Sequence, residues 1–254
     1  MKTALGIDVG ATGIKGAPVD LDNGVLLQKR HKISTPDGGK VDDILRVVVE
    51  MVDHFDWKGK PIGIGFPSVI KDGKSLTASN IDKGWVNFPI VESLSDSLGM
   101  HVPVLNDADA AGQAEVGFGK GKDVMGTVIL LTLGTGIGSA VFKDGVLLPN
   151  TELGQINYKG KIAERVVSNS ARKKRDLSWD EYGKALGDYL RYVNGLFYPN
   201  LIILGGGISK KFDLFSAGFT DLPHVVPATL KNDAGILGAA FASKSNEEVT
   251  AILA

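Results

Sequence analysis

Asp8 stands near the end of the apolar run "TALGIDVG", just before the turn-forming stretch Gly10-Ala11-Thr12-Gly13, with Lys15 seven residues past the acid. A second glycine turn, Gly134-Thr135-Gly136, follows another apolar run, and Gly206 and Gly207 close the stretch "LIILGGG". Backbone N–H groups in such turns form anion-binding concavities, and the hydroxyls of Thr12 and Thr135 add donors suited to phosphate oxygens. A carboxylate beside a phosphate cradle repels the anion unless a cation lies between them. Asp8 therefore implies Mg²⁺, held directly or through water, because Mg²⁺ takes few carboxylates and keeps several waters. The plainer reading of Asp8 is a turn cap, disfavoured because the second hairpin has the uncharged Leu133 or Thr132 in its place. Lys15 is either a point charge for a transferred phosphoryl group or a solvated strand lysine.

The segment "NDADAAGQAE" places Asn106, Asp107 and Asp109 where a strand gives way to a small-residue helix. Transfer to a hydroxyl needs a base within hydrogen-bond reach of it, and Asp107 is the expected base. The competing use of Asp107 or Asp109 is a helix cap, worth about 1 kcal/mol. Asn106 tips the balance, since an amide and a carboxylate side by side can grip adjacent hydroxyls. Neither glycine loop is a dinucleotide fingerprint, because both run from strand into strand instead of opening a helix. "GKS" at 73–75 is no phosphate loop either, since Ser68 stands where a glycine is required.

The elements that must position these groups are legible in outline. Residues 2–9, 13–20 and 24–33 read as a β-meander, with Asn23-Gly24 as a hairpin signal. Apolar residues at helical spacing mark a helix over 41–55, "PIGIGFP" reads as a buried strand, and 102–106 as a strand feeding the helix from 107. Residues 127–133 and 137–143 form a second hairpin. A long helix follows, its start fixed by the capping box of Ser178 and Glu181 and its end by Pro199. Gly10 aligns with Gly134, Thr12-Gly13-Ile14 with Thr135-Gly136-Ile137, and Asn23-Gly24-Val25 with Asp144-Gly145-Val146. Two copies of one motif predict two related α/β lobes with both loops in the cleft between them.

Composition narrows the function classes. The chain has 254 residues, 43% hydrophobic and 22% charged, which suits a real core in one large domain or two lobes. A net charge of −1 offers no global field for nucleic acid or a membrane surface. The absence of cysteine removes disulfides, thiolate nucleophiles and Cys-based metal sites. With no targeting pattern and no long apolar run, a cytoplasmic location is the expectation. His31, His54, His101 and His224 lack metal-ligand spacing and read as surface or packing residues.

Together, "GIDVGATGIKG", "NDADAAGQAE", "LLTLGTGIGSA", "NTELGQ", "LIILGGGIS" and "NDAGILGAAF" resemble the ROK sugar kinases over about residues 3 to 243. "NIDKGWVNFPI", "PNTELGQ" and "ARKKRDLSWDEY" are most similar to the polyphosphate glucokinases within that family. The resemblance implies the actin-like, ribonuclease-H-like two-lobed fold, divided here as 1–106 and 107–243 with a loose tail at 244–254. It implies phosphoryl transfer from polyphosphate or ATP, with Mg²⁺, to the 6-hydroxyl of glucose or a related hexose, in a homodimer. Asp107 would be the base, with Asn80, Asn106, Asp107 and Glu152 holding the sugar. Asp8, Gly10, Thr12, Gly13, Lys15, Thr135 and Gly136 would line the phosphate path, and Gly206 and Gly207 the far end of the donor.

Two departures stand out. The family's zinc-binding cysteines are missing, which would leave the Glu152 loop held by packing alone. Gln155 replaces the family histidine that touches the sugar, and it can still donate and accept a hydrogen bond. The basic run Arg172-Lys173-Lys174-Arg175 is either a polyanion path or a solvated loop, and Trp85 reads as core ahead of a support for the sugar loop. Rival readings are an ATP-dependent hexokinase for mannose or fructose, a non-catalytic sugar sensor, and a ribonuclease-H-like nuclease. The paired Gly-Thr-Gly turns argue against the last.

Overall fold

A computed structural model of the chain describes residues 2–79 and 81–244. Asn80 and the expected tail beyond residue 244 therefore lie outside the described residues. The chain divides into two compact units, Met1–Gly117 with Asp233–Ala254, and Phe118–Asn232.

In the first unit, β1 (Thr3–Gly10) and β2 (Gly13–Asp20) form the expected hairpin, with Gly10 paired to Gly13 across Ala11-Thr12. The expected strand over 24–33 is instead two short strands, β3 (Val25–Leu26) and β4 (His31–Ile33), both antiparallel to β2. Pro18 explains the break. Its carbonyl accepts from Leu27 N at 2.8 Å, so the side of β2 facing β3 meets a residue with no N–H to offer, and the ladder stops there. The Asn23-Gly24 turn forms as a wider loop: Gly24 alone has positive φ, and the Asp20 carboxylate accepts from Asp22 N at 2.9 Å and Asn23 Nδ2 at 2.7 Å.

Helix α1 (Val41–His54) follows, ending one residue before the expected position, then β5 (Ile62–Phe66). A small pair, β6 (Ile70–Lys71) and β7 (Lys74–Ser75), and α2 (Ile90–Leu98) precede β8 (Val104–Asn106), which runs directly into α3 (Asp107–Phe118). The sheet order is β3-β2-β1-β5-β8, with β5 and β8 parallel to β1. Trp85 is fully buried in this unit's core and donates to Gly39 O at 2.9 Å, the core role expected of it. The rings of His31 and His54 stack at 3.8 Å, and His224 meets Asn194 Oδ1 at 2.9 Å, so three of the four histidines have packing partners.

The second unit repeats this plan. Strands β9 (Thr127–Leu133), β10 (Ile137–Lys143) and β11 (Val146–Leu148) form an antiparallel meander. Here Asp144 and Gly145 both have positive φ, as a two-residue hairpin turn requires. A small pair, β12 (Asn157–Tyr158) and β13 (Lys161–Ile162), leads to α4 (Glu164–Val167) and α5 (Asn169–Lys174). The long α6 (Trp179–Phe197) starts at the Ser178–Glu181 capping box, and β14 (Leu201–Gly205) and β15 (Val225–Pro227) complete the unit. The sheet order β11-β10-β9-β14-β15 matches the first sheet strand for strand, so the sequence repeat extends to whole sheets.

The chain then returns to the first unit with α7 (Ala234–Ala242). A Cβ at Gly6 or Gly63 would run into the Ile236 or Ala239 carbonyl, so these glycines let α7 lie directly on β1 and β5. Gly16, on the neighbouring register, faces Met51 of α1 on the opposite side of the sheet. A Cβ at Gly238 would strike the Ala110 carbonyl of α3. The first unit accordingly runs through α3 as far as Gly117, where the expected division was at residue 106, and the described residues 233–244 belong to it.

Candidate active site

The register of the first hairpin sets Asp8 directly across from Lys15, and Lys15 Nζ lies 3.4 Å from Asp8 Oδ2. Lys15 is therefore an ion-paired strand residue at the glycine turn. The turn itself is tied down by Thr35, whose hydroxyl donates to Gly10 O at 2.5 Å, while Thr12 stays exposed. Behind Asp8, a Cβ on Gly235 at the start of α7 would come within 2.8 Å of the Asp8 carboxyl carbon. Asp8 is wedged between a lysine and a glycine, with its side chain still 19% exposed.

At the β8–α3 junction, Asn106 caps the helix: its Oδ1 accepts from Ala108 N at 2.8 Å, and its Nδ2 donates to Ser68 O at 3.0 Å. Each end of the amide keeps one hydrogen-bonding position for a ligand. Asp109 is buried, whereas Asp107 keeps access to solvent. The carboxyl of Asp107 is nonetheless crowded by surrounding protein. This loss of hydration, then the charge of Asp8, pushes it up to about 6, against the pull of the Ala108 and Asp107 amides. A carboxylate with that value is poised to take a proton near neutrality.

Residue types suit Mg²⁺ at Asp8 in a limited way. Among the described residues no group of three His, Cys, Asp or Glu side chains gathers. A single half-open carboxylate instead matches a cation that keeps most of its waters and takes its remaining ligands from donor phosphates.

In the second unit, Leu133 pairs with Ile137 across Gly134-Thr135-Gly136. By register, Thr132 and Gly138 occupy the places of Asp8 and Lys15, so this copy lacks the ion pair. A carboxylate arrives from elsewhere: Glu164, the first residue of α4, accepts from Ile137 N at 3.3 Å and abuts Gly136. The Gly134 carbonyl accepts from Ser170 N at 3.1 Å. Gly206, with φ of 78°, lies against Leu133, where a Cβ would approach the backbone oxygen to 2.9 Å. The glycine turns at 134–136 and 206–207 are therefore neighbours.

The Glu152 loop is held by more than packing. Leu153 N donates to the buried Ser139 hydroxyl at 2.9 Å, that hydroxyl donates to Thr151 O at 2.5 Å, and Tyr189 OH donates to Leu153 O at 3.0 Å. Gly154 packs on the Ile137 carbonyl, so this loop and the second glycine turn grip the same strand. Glu152 and Gln155 sit at the two ends of one short turn, both exposed. The roles of Glu164, Gly235, Ser139 and Tyr189 escaped the sequence reading, because each acts across a long separation with no spacing to mark it.

The ROK family model matches residues 4–150. The chain belongs to the ROK family. It is 44% identical over 239 residues to the polyphosphate glucokinase of Mycobacterium tuberculosis (strain CDC 1551 / Oshkosh), spanning 94% of this chain and 90% of that relative. The crystal structure of the inorganic polyphosphate/ATP-glucomannokinase from Arthrobacter sp. strain KM superposes with a TM-score of 0.89 at 43% identity, covering 97% of this chain and all of that one. A ROK family glucokinase from Streptomyces griseus, at 24% identity, matches in fold with a TM-score of 0.80 over 96% of this chain and 99% of its own. This ROK protein has the actin-like, ribonuclease-H-like kinase fold.

Proposed function

We infer that this ROK protein transfers a phosphoryl group from inorganic polyphosphate, or from ATP, to the 6-hydroxyl of glucose, giving glucose 6-phosphate. The observation that carries the reading is Asp107. With Asn106 supplying the cap of α3, the Asp107 carboxyl is left at a helix start with its pKa raised to about 6. Asp107 accepts the hydroxyl proton as the sugar oxygen bonds to phosphorus and the bond to the remaining donor breaks. Asn106 and Glu152, with Asn80 and Gln155, hold the sugar hydroxyls. The turns at Gly10, Thr12 and Gly13 and at Thr135 and Gly136 offer amides and hydroxyls to phosphate oxygens, and Gly206 and Gly207 receive the far end of the donor. Lys15 supplies a point charge beside Asp8.

Asp8 would hold Mg²⁺ through water, and the cation would neutralise donor phosphate charge. The reading includes a homodimer, supported by the exposed Tyr192, Leu196 and Tyr198 around the end of α6, and a cytoplasmic location. No helix among the described residues is long and apolar enough to cross a membrane. Mannose is a second acceptor on this reading, because the Arthrobacter relative is a glucomannokinase.

The test is the initial rate of glucose 6-phosphate formation with long-chain polyphosphate and with ATP, for the wild type and Asp107→Asn, followed by mannose and fructose. Removal of a general base is expected to cost about 10²- to 10⁴-fold in turnover while sugar binding survives. Wild-type turnover in the variant would remove Asp107 as base. No product from any sugar with either donor would leave a sugar sensor.

A further inference from the structure

The cations beside the first glycine turn outnumber the carboxylates that pair with them. Strands β1, β2 and β4 place three charged residues in one row, Asp8 across from Lys15 and Lys15 across from Lys32. Residues directly opposite in antiparallel strands have Cβ atoms about 5 Å apart on one face of the sheet, and like charges in that relation are destabilising. Lys15 is paired with Asp8 at 3.4 Å. Arg30, two residues before Lys32, is taken by Asp233 at 2.7 Å, just ahead of α7. Lys32 belongs to none of the ion pairs found among the described residues.

The Lys32 side chain does not simply extend into water. Strand β4 has β2 as its one strand partner among the described residues and so forms an edge. Lysines on edges commonly deter further pairing, a task that needs only an outward-pointing chain. Here the chain lies over the turn instead: a Cβ on Gly13 would overlap Lys32 Cε and come within 3.3 Å of Nζ. Gly13 leaves the space that the lysine stem fills. The residue stays exposed, and its ammonium is set beside the turn that offers amides and the Thr12 hydroxyl to phosphate oxygens in the donor reading.

We propose that Lys32 Nζ donates to a non-bridging oxygen of the phosphate at the reacting end of the donor, as a second lysine of the first glycine turn. The proposal rests on the donor reading above and deepens it: Lys15 stays with Asp8, and Lys32 brings the charge that is free to meet the phosphate. The ammonium keeps its proton throughout. As the sugar oxygen bonds to phosphorus, its proton passes to Asp107 and the bond to the remaining donor breaks, while Lys32 offsets negative charge on the phosphoryl oxygens. Polyphosphate and ATP both present such a phosphate, so Lys32 serves both donors. A bound phosphate also screens Lys15 from Lys32.

The test is steady-state kinetics of Lys32→Gln and Lys32→Arg with long-chain polyphosphate and with ATP. Lys29→Gln, at an exposed lysine outside the ion pairs, controls for net charge. In Lys32→Gln, kcat/KM is expected to fall about ten- to hundredfold for both donors while the glucose KM holds. Lys32→Arg keeps a charge at the turn and should recover part of the loss. Tm in Lys32→Gln should hold or rise, because one of two opposed like charges is gone. Wild-type kcat/KM in Lys32→Gln, an equal loss in Lys29→Gln, a loss confined to polyphosphate, a loss accompanied by a lower Tm, or an arginine variant no better than glutamine overturns the proposal while the donor reading stands. A wild type that transfers from neither donor fails the donor reading and takes the proposal with it. One that uses ATP alone removes polyphosphate from the donor reading, and the ATP rates then decide Lys32.

Discussion

At the scale of single residues the proposed reaction rests on Asp107 and Asp8, and both can be tested through protons and space. Because crowding by the surrounding protein and the Asp8 charge raise Asp107 to about 6, kcat/KM should fall below that pH by about tenfold per unit. An acid limb near the ordinary carboxylate value would remove the predicted environment. The same shift has a sign in stability. A carboxyl raised in the folded state favours folding when protonated, so its penalty is absent below about pH 4 and complete once pH passes about 6. Asp107→Asn without ligands should therefore raise Tm near neutral pH and lose that advantage near pH 4. Gly235→Ala probes the wedge behind Asp8: a methyl 2.8 Å from the carboxyl carbon must displace it. The variant should fold, lower kcat by about tenfold or more, and leave glucose affinity intact, as measured by steady-state kinetics and glucose titration. Asp8, Lys15, Asn106 and Asp107 were legible in sequence because each lies within a few residues of a turn or a strand end. Gly235, more than two hundred residues from Asp8, was visible only as part of a family motif.

At the scale of elements, each of the two glycine turns is accompanied by a carboxylate, supplied by different means. The first has its carboxylate in its own strand; the second receives Glu164 from α4. Losing that acceptor leaves Ile137 N without it and lets the turn relax. Glu164→Ala should raise the KM for polyphosphate and ATP alike, roughly three- to tenfold, with the glucose KM unchanged. Glu164→Gln keeps an oxygen acceptor and should stay near wild type. A glutamine variant as poor as alanine would mean that charge, not geometry, is what the turn requires. The hairpins, α1 and α6 were readable because their apolar periods and caps are local signals. The break between β3 and β4 turned on a missing N–H at Pro18, whose effect depends on which side of β2 it faces, and single-strand periodicity does not carry that information. The hydrogen bonds from Ser139 and Tyr189 to the Glu152 loop were hidden for the same reason: partners from two distant elements meet at one loop.

For the molecule as a whole, the repeat visible in about twenty residues extends to two five-strand paths of identical order, yet it did not reveal where one unit ends. Motif matching favours a cut at the β8–α3 junction. The glycines at 6, 63 and 238 decide otherwise, because they remove side chains so that α7 can approach β1, β5 and α3 at backbone distance. A strand with glycine at such a position has nothing of its own to cover the face that α7 occupies. Ending the chain at Asn232 should therefore expose β1 and β5, including the strand that carries Asp8, while the second unit, continuous from Phe118 to Asn232, keeps its own core. Hydrogen exchange on the truncated chain should show lost protection over residues 3–20 and 62–66 and retained protection over 127–143 and 182–193, with kinase activity abolished. Equal loss in both units would show that the second sheet depends on the first for its stability, and that the two copies fold as one cooperative body.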